Sequence, residues 1–251
     1  MQRVTSFGLV LIGDELLSGK RVDRHLPHAA AVLETRGQSI AWARIVGDDL
    51  DGIASQLVES KAAGLPVLCF GGIGATPDDR TRAAAALAFA VPLQRNREAA
   101  AEIEQRFGEA AYPQRIRMAD LPAGCQLIPN PYNRIPGFSL QRHHFFPGFT
   151  DMAWPMLDWV LETHYPGSGC ALRESSVLVY GVLESQLLDV MEQLTADHPQ
   201  AKLFCLPKLP PGSVMEIGFR GTGDSIERAL EDLLCVLRSR GIDYSDTAVN
   251  T

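Results

Sequence analysis

The chain has 251 residues, 46% of them hydrophobic and 21% charged, which is enough apolar material for one large core or two smaller ones. Its formal net charge of −7 argues against a general binder of nucleic acid or anionic membrane, yet leaves room for a local pocket that takes a small anion. The five cysteines form no C-x-x-C pair, so neither a disulfide framework nor a zinc site is expected; with no signal-peptide pattern and no apolar stretch long enough to span a bilayer, the expected location is cytoplasmic.

Phe7 to Ile12 is a continuous apolar run, as in a strand covered on both faces inside a parallel sheet. Its carboxyl end delivers Gly13, Asp14, Glu15 and Ser18 to the edge where open α/β sheets hold ligands, although Asp14 and Glu15 can equally serve to solvate a turn. A helix is expected from about Asp23 to Thr35, with Leu26, Ala29, Ala30 and Leu33 at helical spacing and Gly37 as its C-cap. Ser39 to Val46 reads as the second strand. Asp48 or Asp49 then caps a helix running to about Ala63, and Asp48 can equally face the ligand edge.

Leu65 to Phe70 is the third strand, and it runs into Gly71-Gly72-Ile73-Gly74-Ala75-Thr76-Pro77-Asp78-Asp79-Arg80-Thr81. Three glycines in four positions let the backbone bend sharply and approach a ligand. A following helix from Arg82 to Ala90 directs unpaired N–H groups at the turn, which suits a phosphate. Asp78 and Asp79 at its entrance cap it or hold a divalent cation. The spacing is neither a dinucleotide fingerprint nor a P-loop. The bland alternative is a capped helix after a tight turn.

Arg97 to Phe107 is a further helix, so the first part reads β-α-β-α-β-α, a parallel sheet with right-handed crossovers. Of Arg115 and Arg117, one is expected to turn inward toward an anion. Leu127-Ile128 is a short strand, and the proline-stiffened stretch from Pro129 to Phe138 is a loop that shapes a wall. His143 to Phe146 is a strand whose adjacent histidines face opposite ways, which argues for a structural role. Thr150 or Asp151 caps a helix ending near His164. Pro166 to Gly169 reads as a linker, giving domains at 1–166 and 172–245. The second part holds strands at Ser176 to Tyr180, Lys202 to Leu206 and Val214 to Arg220, and helices at Glu184 to Ala196 and Ser225 to Arg238. That order suggests a small ferredoxin-like α+β sandwich serving packing or interaction.

Gly13-Asp14-Glu15-Leu16-Leu17-Ser18-Gly19, Val46-Gly47-Asp48-Asp49 and Gly71 to Thr81 together resemble the molybdopterin-binding (MoaB/Mog-like) domain, and more closely its version in CinA, the competence/damage-inducible protein. Asn130-Pro131, Pro136-Gly137-Phe138 and Pro147-Gly148 fit the CinA-like pattern, and Gly181 with Glu184-Ser185 resembles the small CinA middle domain. The carboxy-terminal amidohydrolase domain of CinA has no counterpart. The resemblance implies a three-layer α/β/α fold with a mostly parallel sheet and a ligand pocket at the glycine turn. It implies that Asp79 and Asp48 are catalytic and that Asp79 and Asp78 hold a divalent metal, Mg²⁺, Mn²⁺ or Co²⁺. Gly72, Gly74 and Thr76 would cradle phosphate, with Gly13, Asp14, Glu15, Ser18, Gly71, Asn130, Pro136 and Gly137 completing the ligand site. The chain departs from the family's pattern at Asp23-Arg24-His25, where His25 replaces an amide, and at Thr150-Asp151-Met152, where Asp151 is the candidate replacement for a glutamate.

The activity implied is pyrophosphate hydrolysis of ADP-ribose or FAD with a divalent cation. Two alternatives stand beside it within the family: a non-catalytic molybdopterin binder and a molybdopterin adenylyltransferase. A scaffold without a specific ligand is the alternative from another class. The partner expected is a small pterin or nucleotide, with no nucleic acid and no membrane. The assembly implied is a homo-oligomer, a dimer before a trimer.

Overall fold

The computed structural model describes residues 6–166, 173–208, 214–221 and 223–245. The chain opens with β1 (Ser6–Ile12), a one-turn α1 (Asp14–Leu17), α2 (His25–Thr35), β2 (Ser39–Val46), α3 (Leu50–Ala62), β3 (Val67–Phe70) and α4 (Thr81–Ala88). There follow β4 (Leu93–Arg95), α5 (Arg97–Phe107), two 3-10 turns, β5 (Asp120–Pro122), β6 (Gln126–Ile128), β7 (Gly137–Leu140), β8 (His143–Phe146) and α6 (Thr150–His164). Then come β9 (Arg173–Tyr180), α7 (Leu188–Asp197), β10 (Ala201–Pro207), β11 (Val214–Gly221), α8 (Gly223–Ser239) and β12 (Tyr244–Ser245). Two compact units result, one holding β1 to α6 and the other β9 to β12.

The first unit is a six-stranded sheet in the order β2-β1-β3-β8-β7-β6. β1, β2, β3 and β8 pair in parallel, and β7 and β6 extend the sheet in antiparallel fashion. The two-residue period of the strands sorts their side chains into two cores. Val10, Ile12, Val67, Cys69 and Phe145 point toward α3, α4 and α5, where Ile53, Leu57, Ala84, Ala85 and Ile103 receive them. Phe7, Leu9, Leu11, Leu68, Phe70 and Phe146 point to the other side, against Ala29 and Leu33 of α2 and Met156, Leu157, Val160 and Leu161 of α6. Helices on both faces complete the three-layer α/β/α architecture, and no helix among the described residues is long and apolar enough to cross a membrane.

Several local expectations are corrected. α2 starts at His25 because Asp23 accepts from the His25 and Leu26 N–H groups and so stands outside the helix. Asp49, not Asp48, caps α3, accepting from Gly52 N–H. Neither Thr150 nor Asp151 caps α6, whose N-cap position is occupied by Phe149 without a side-chain bond. Gly137 and Phe138 belong to β7 rather than to the preceding loop. Arg115 and Arg117 stay outside: the Arg115 guanidinium donates to Ala110 O and lies over the Phe107 ring. The short antiparallel pair β4–β5 was not expected.

The second unit is a four-stranded antiparallel sheet, β10-β11-β9-β12. Val177, Val179, Met215, Ile217 and Phe219 face Val190, Leu194, Ala229, Leu233 and Leu237 of α7 and α8. This is the ferredoxin-like arrangement, with β12 as a fourth strand not foreseen in the sequence. The expected helix from Glu184 breaks at Leu187 into a 3-10 turn and α7. The expected linker lies, from Gly167 onward, outside the described residues.

β8 carries the buried histidines on opposite faces. His143 meets Ser60 Oγ at 2.8 Å and Gln141 O at 3.1 Å. His144 sits between Ser139 Oγ and the Tyr165 hydroxyl, each at 2.8 Å. Burial holds both rings neutral, lowering His143 from 6.5 to about 4 and His144 from 6.5 to about 3. Between pH 6.5 and those values the unfolded chain binds protons that the folded chain refuses, so stability rises with pH across that window and falls on acidification. Denaturant unfolding from pH 7.5 to 4.5 is expected to show a decline beginning near pH 6.5, and His144→Gln is expected to flatten its slope.

Candidate functional site

The chain leaves β1 for β2 on one side and then places β3 on the other, so the sheet has its topological switch point between the ends of β1 and β3. Gly71 closes that crevice. Its φ is +110°, and a Cβ there would lie 2.1 Å from the Ile12 carbonyl oxygen. Its N–H donates to Phe146 O at 3.0 Å, fixing the turn to β8 as well. Buried Thr81 sews the turn to α4: its hydroxyl donates to Gly71 O at 2.9 Å and its N–H to Gly72 O at 3.0 Å. The first helical N–H is therefore used by the turn itself and is not the free anion donor expected from the sequence.

Asp78 and Asp79 do not cap α4; Arg80 holds the N-cap position without a side-chain bond. Instead Asp79 Oδ2 accepts from the Thr76 N–H at 2.8 Å and from the Thr76 hydroxyl, closing the loop on itself. Its carboxylate lies against Gly74, where a Cβ would approach Oδ2 to 2.4 Å. Behind the loop, Arg82 donates to Gly74 O at 2.6 Å, to Asp120 O at 3.1 Å and to Arg117 O. Buried among small alanines, it ties the glycine turn to the start of β5 and the turn before it. A lone arginine in an alanine run was the available signal.

The ends of β1 and β2 are clasped by two aspartates. Asp14 N–H donates to Asp48 Oδ2 at 2.9 Å, and Asp48 N–H donates to Asp14 Oδ1 at 3.2 Å. Desolvation raises the Asp48 carboxyl above its ordinary value; the Asp14 N–H opposes this, and the charges of Asp14, Glu15 and Asp78 reinforce it.

A cavity of about 420 Å³ opens over the switch point. Of the expected residues it gathers Gly13, Glu15, Asp48, Gly71, Gly72 and Gly74, then Thr76, Asp78, Asp79 and Asn130. Four others lie off its lining. Asp14 faces solvent beside the clasp, and Ser18 ends α1 on the surface. Pro136 is buried, and Gly137 is packed so tightly that a Cβ would meet Phe145 O at 2.3 Å, so its role is strand contact. Asp151 is exposed and off the lining, so it does not stand in for the missing glutamate; Met152 lines the cavity, its sulfur accepting from Asn133 Nδ2 at 3.3 Å. Asn133 and Ile135 line it too, so the proline-stiffened loop does form a wall, while Arg21, Met118 and Phe149 were missed by sequence reasoning. His25 is buried behind the cavity, stacked on Phe70 with its Nε2 3.1 Å from Gly148 O, and burial lowers its pKa.

The sequence family described as "Probable molybdopterin binding domain" matches residues 8–165, nearly all of the unit that carries this cavity. The chain belongs to that family. The chain is 33% identical over 207 residues to a CinA-like protein of Citrifermentans bemidjiense, covering 79% of this chain and 50% of that one. A CinA-like protein of Geobacter metallireducens is 32% identical over 248 residues, covering 92% of this chain and 59% of its own. The chain thus spans little more than half the length of these curated relatives. The crystal structure of CinA from Thermoplasma acidophilum superposes with a TM-score of 0.59 at 26% identity, over 63% of this chain and 97% of the other.

Among the described residues no three His, Cys, Asp or Glu side chains group to hold a metal ion alone. Asp78 and Asp79 line one cavity, and a pair of carboxylates is the protein share that an ion such as Mg²⁺ takes, the rest of its shell being water and phosphate oxygens.

The two glycine contacts differ in kind, and substitution separates them. Gly71→Ala drives a methyl into a backbone carbonyl at positive φ and is expected to cost at least about 2 kcal/mol in denaturant unfolding. Gly74→Ala meets only the far end of a side chain, so stability is expected to stay within about 1 kcal/mol while Asp79 is displaced.

Proposed function

We propose that this chain binds a ring-bearing phosphoanhydride, a pterin or an adenine nucleotide, at the carboxyl edge of its parallel sheet and hydrolyses the anhydride with a divalent cation. One observation carries the reading: a single cavity joins the Gly71–Gly74 turn to carboxylates from three strand ends, Glu15 after β1, Asp48 after β2, and Asp78 and Asp79 after β3. Membership of the molybdopterin-binding domain family and the likeness to CinA-like proteins support a ligand of this class.

The glycine turn, rigid through Gly71, Thr81 and Arg82, fixes where phosphate oxygens rest. A Mg²⁺, Mn²⁺ or Co²⁺ ion held by Asp78 and Asp79 would neutralise the charge that builds on those oxygens. Asp48, a stronger base than a free aspartate because it is desolvated among other carboxylates, takes the proton of the attacking water. Water adds to the adenylyl phosphorus, the bridging P–O bond breaks, and AMP leaves with ribose 5-phosphate or FMN as the second product. A binder that does not turn over is the second reading, favoured by the Asp79 carboxylate being already engaged by Thr76.

Turnover of ADP-ribose and FAD with Mg²⁺, Mn²⁺ or Co²⁺ tests the proposal. AMP release by the wild type is expected, with Asp48→Asn and Asp79→Ala slower by roughly 10²–10⁴-fold while remaining folded. No AMP from folded wild type under any of these ions rejects hydrolysis and leaves pterin binding as the reading to measure.

A further inference from the structure

We infer that the cavity has two chemically distinct ends and that Phe149 is the platform on which the ligand's planar ring stacks. This rests on the reading of the cavity as a phosphoanhydride site and assigns the other half of the same ligand.

The strand order sets the polarity. Along the sheet edge the carboxylates come from β2, β1 and β3, and the next strand, β8, delivers Pro147, Gly148, Phe149 and Met152 to the same cavity. β7 runs antiparallel to β8, and β6 antiparallel to β7, so the loop joining β6 to β7 opens at this edge and contributes Asn130, Asn133 and Ile135. Strands stand about 4.8 Å apart, so this second end lies about 5–10 Å beyond the end of β3. One sugar separates the ring of a nucleotide from its phosphates, and the cavity changes character over a comparable step.

The two ends differ in substance. On the β2–β1–β3 side every charged lining residue is found, the carboxylates of Glu15, Asp48, Asp78 and Asp79 and the guanidinium of Arg21, around the glycine backbone. Beyond β3 no described lining residue carries a charge; the surfaces there are the Phe149 ring, the Met152 thioether, the Ile135 side chain and two amides. The amides are held still: Asn130 Nδ2 donates to Asn133 Oδ1 at 2.8 Å and to Ile135 O at 2.9 Å, and Asn133 Nδ2 donates to the Met152 sulfur. Such a wall is suited to a flat, weakly polar ring.

Phe149 itself is out of place as a structural residue. It is 61% exposed, and it occupies the N-cap of the 15-residue α6, where serine, threonine or aspartate would cap the helix and phenylalanine does not. An aromatic face that forgoes both burial and capping, at the rim of a cavity, is available for stacking. Aromatic stacking tolerates any base because each has a π face, so the same platform serves a pterin or an adenine.

The test uses two probes that resist hydrolysis: the methylene-bridged analogue of ADP, and methylenediphosphonate, the same charged group without sugar or ring. Titration calorimetry with Mg²⁺ on wild type, Phe149→Ala and Phe149→Trp reads both ends separately. Phe149→Ala is expected to weaken the nucleotide analogue roughly tenfold and leave the diphosphonate unchanged, with Phe149→Trp restoring affinity. Circular dichroism confirms that each variant is folded. Equal weakening of both probes, or none, overturns the stacking role and leaves the phosphoanhydride reading standing. Wild type that binds neither probe overturns the nucleotide reading, and this inference with it.

Discussion

Gly71 sets its Cα against the Ile12 carbonyl, at a distance that admits no side chain, and the rest of the unit is arranged around that approach. It lets the turn after β3 fold over the end of β1 while its N–H stays bonded to β8. Three strand ends are thereby brought under one cavity. Thr81 and Arg82, side by side at the start of α4, then hold the turn from behind through the carbonyls of Gly71 and Gly74. The geometry of the site thus depends mostly on backbone oxygens fixed by buried side chains, which is a stiffer device than a ring of surface residues.

Buried polar side chains elsewhere in the unit follow a similar rule. His143 and His144 have both ring nitrogens engaged, and so neither is left to the full cost of burial without partners. The Ser60–His143 contact has the distance of a nucleophile and its base, but both residues are about 1% exposed, so no substrate reaches them. They are pegs between strand and helix. His25 works differently: one nitrogen holds Gly148 O at the cavity wall and the other is buried without a partner among the described residues.

The parts of the fold most legible in the sequence were those with an unbroken pattern. β1 and β3 are apolar on both faces, and β2, α5 and β8 end where their patterns end. The glycine turn and its aspartates were legible as the lining of one cavity because glycine at positive φ and acidic residues have few uses in such a place. What misled was adjacency in sequence. Asp14 and Ser18 neighbour Glu15, yet the short α1 turns them away from the lining, and Pro136 and Gly137 neighbour Ile135 but enter β7. Arg21 and Phe149 carried no local signature, and Arg82 and Asn133 carried only a faint one, a lone arginine in an alanine run and a place in the proline-stiffened loop. Their importance comes from which strand ends the sheet order sets side by side, which is a tertiary fact.

The carboxylate-lined mouth also decides which small anions compete for the site. Glu15, Asp48, Asp78 and Asp79 outnumber Arg21, the one cationic side chain among the described lining residues. The amides of Asp14 and Asp48 are already bonded to the protein's own carboxylates. Free orthophosphate therefore meets a repulsive field and spent donors, while an anion that arrives with its own cation has the repulsion offset. Under the proposed reading, a bare anion is a poor competitor for such a pocket even where it is the more abundant one.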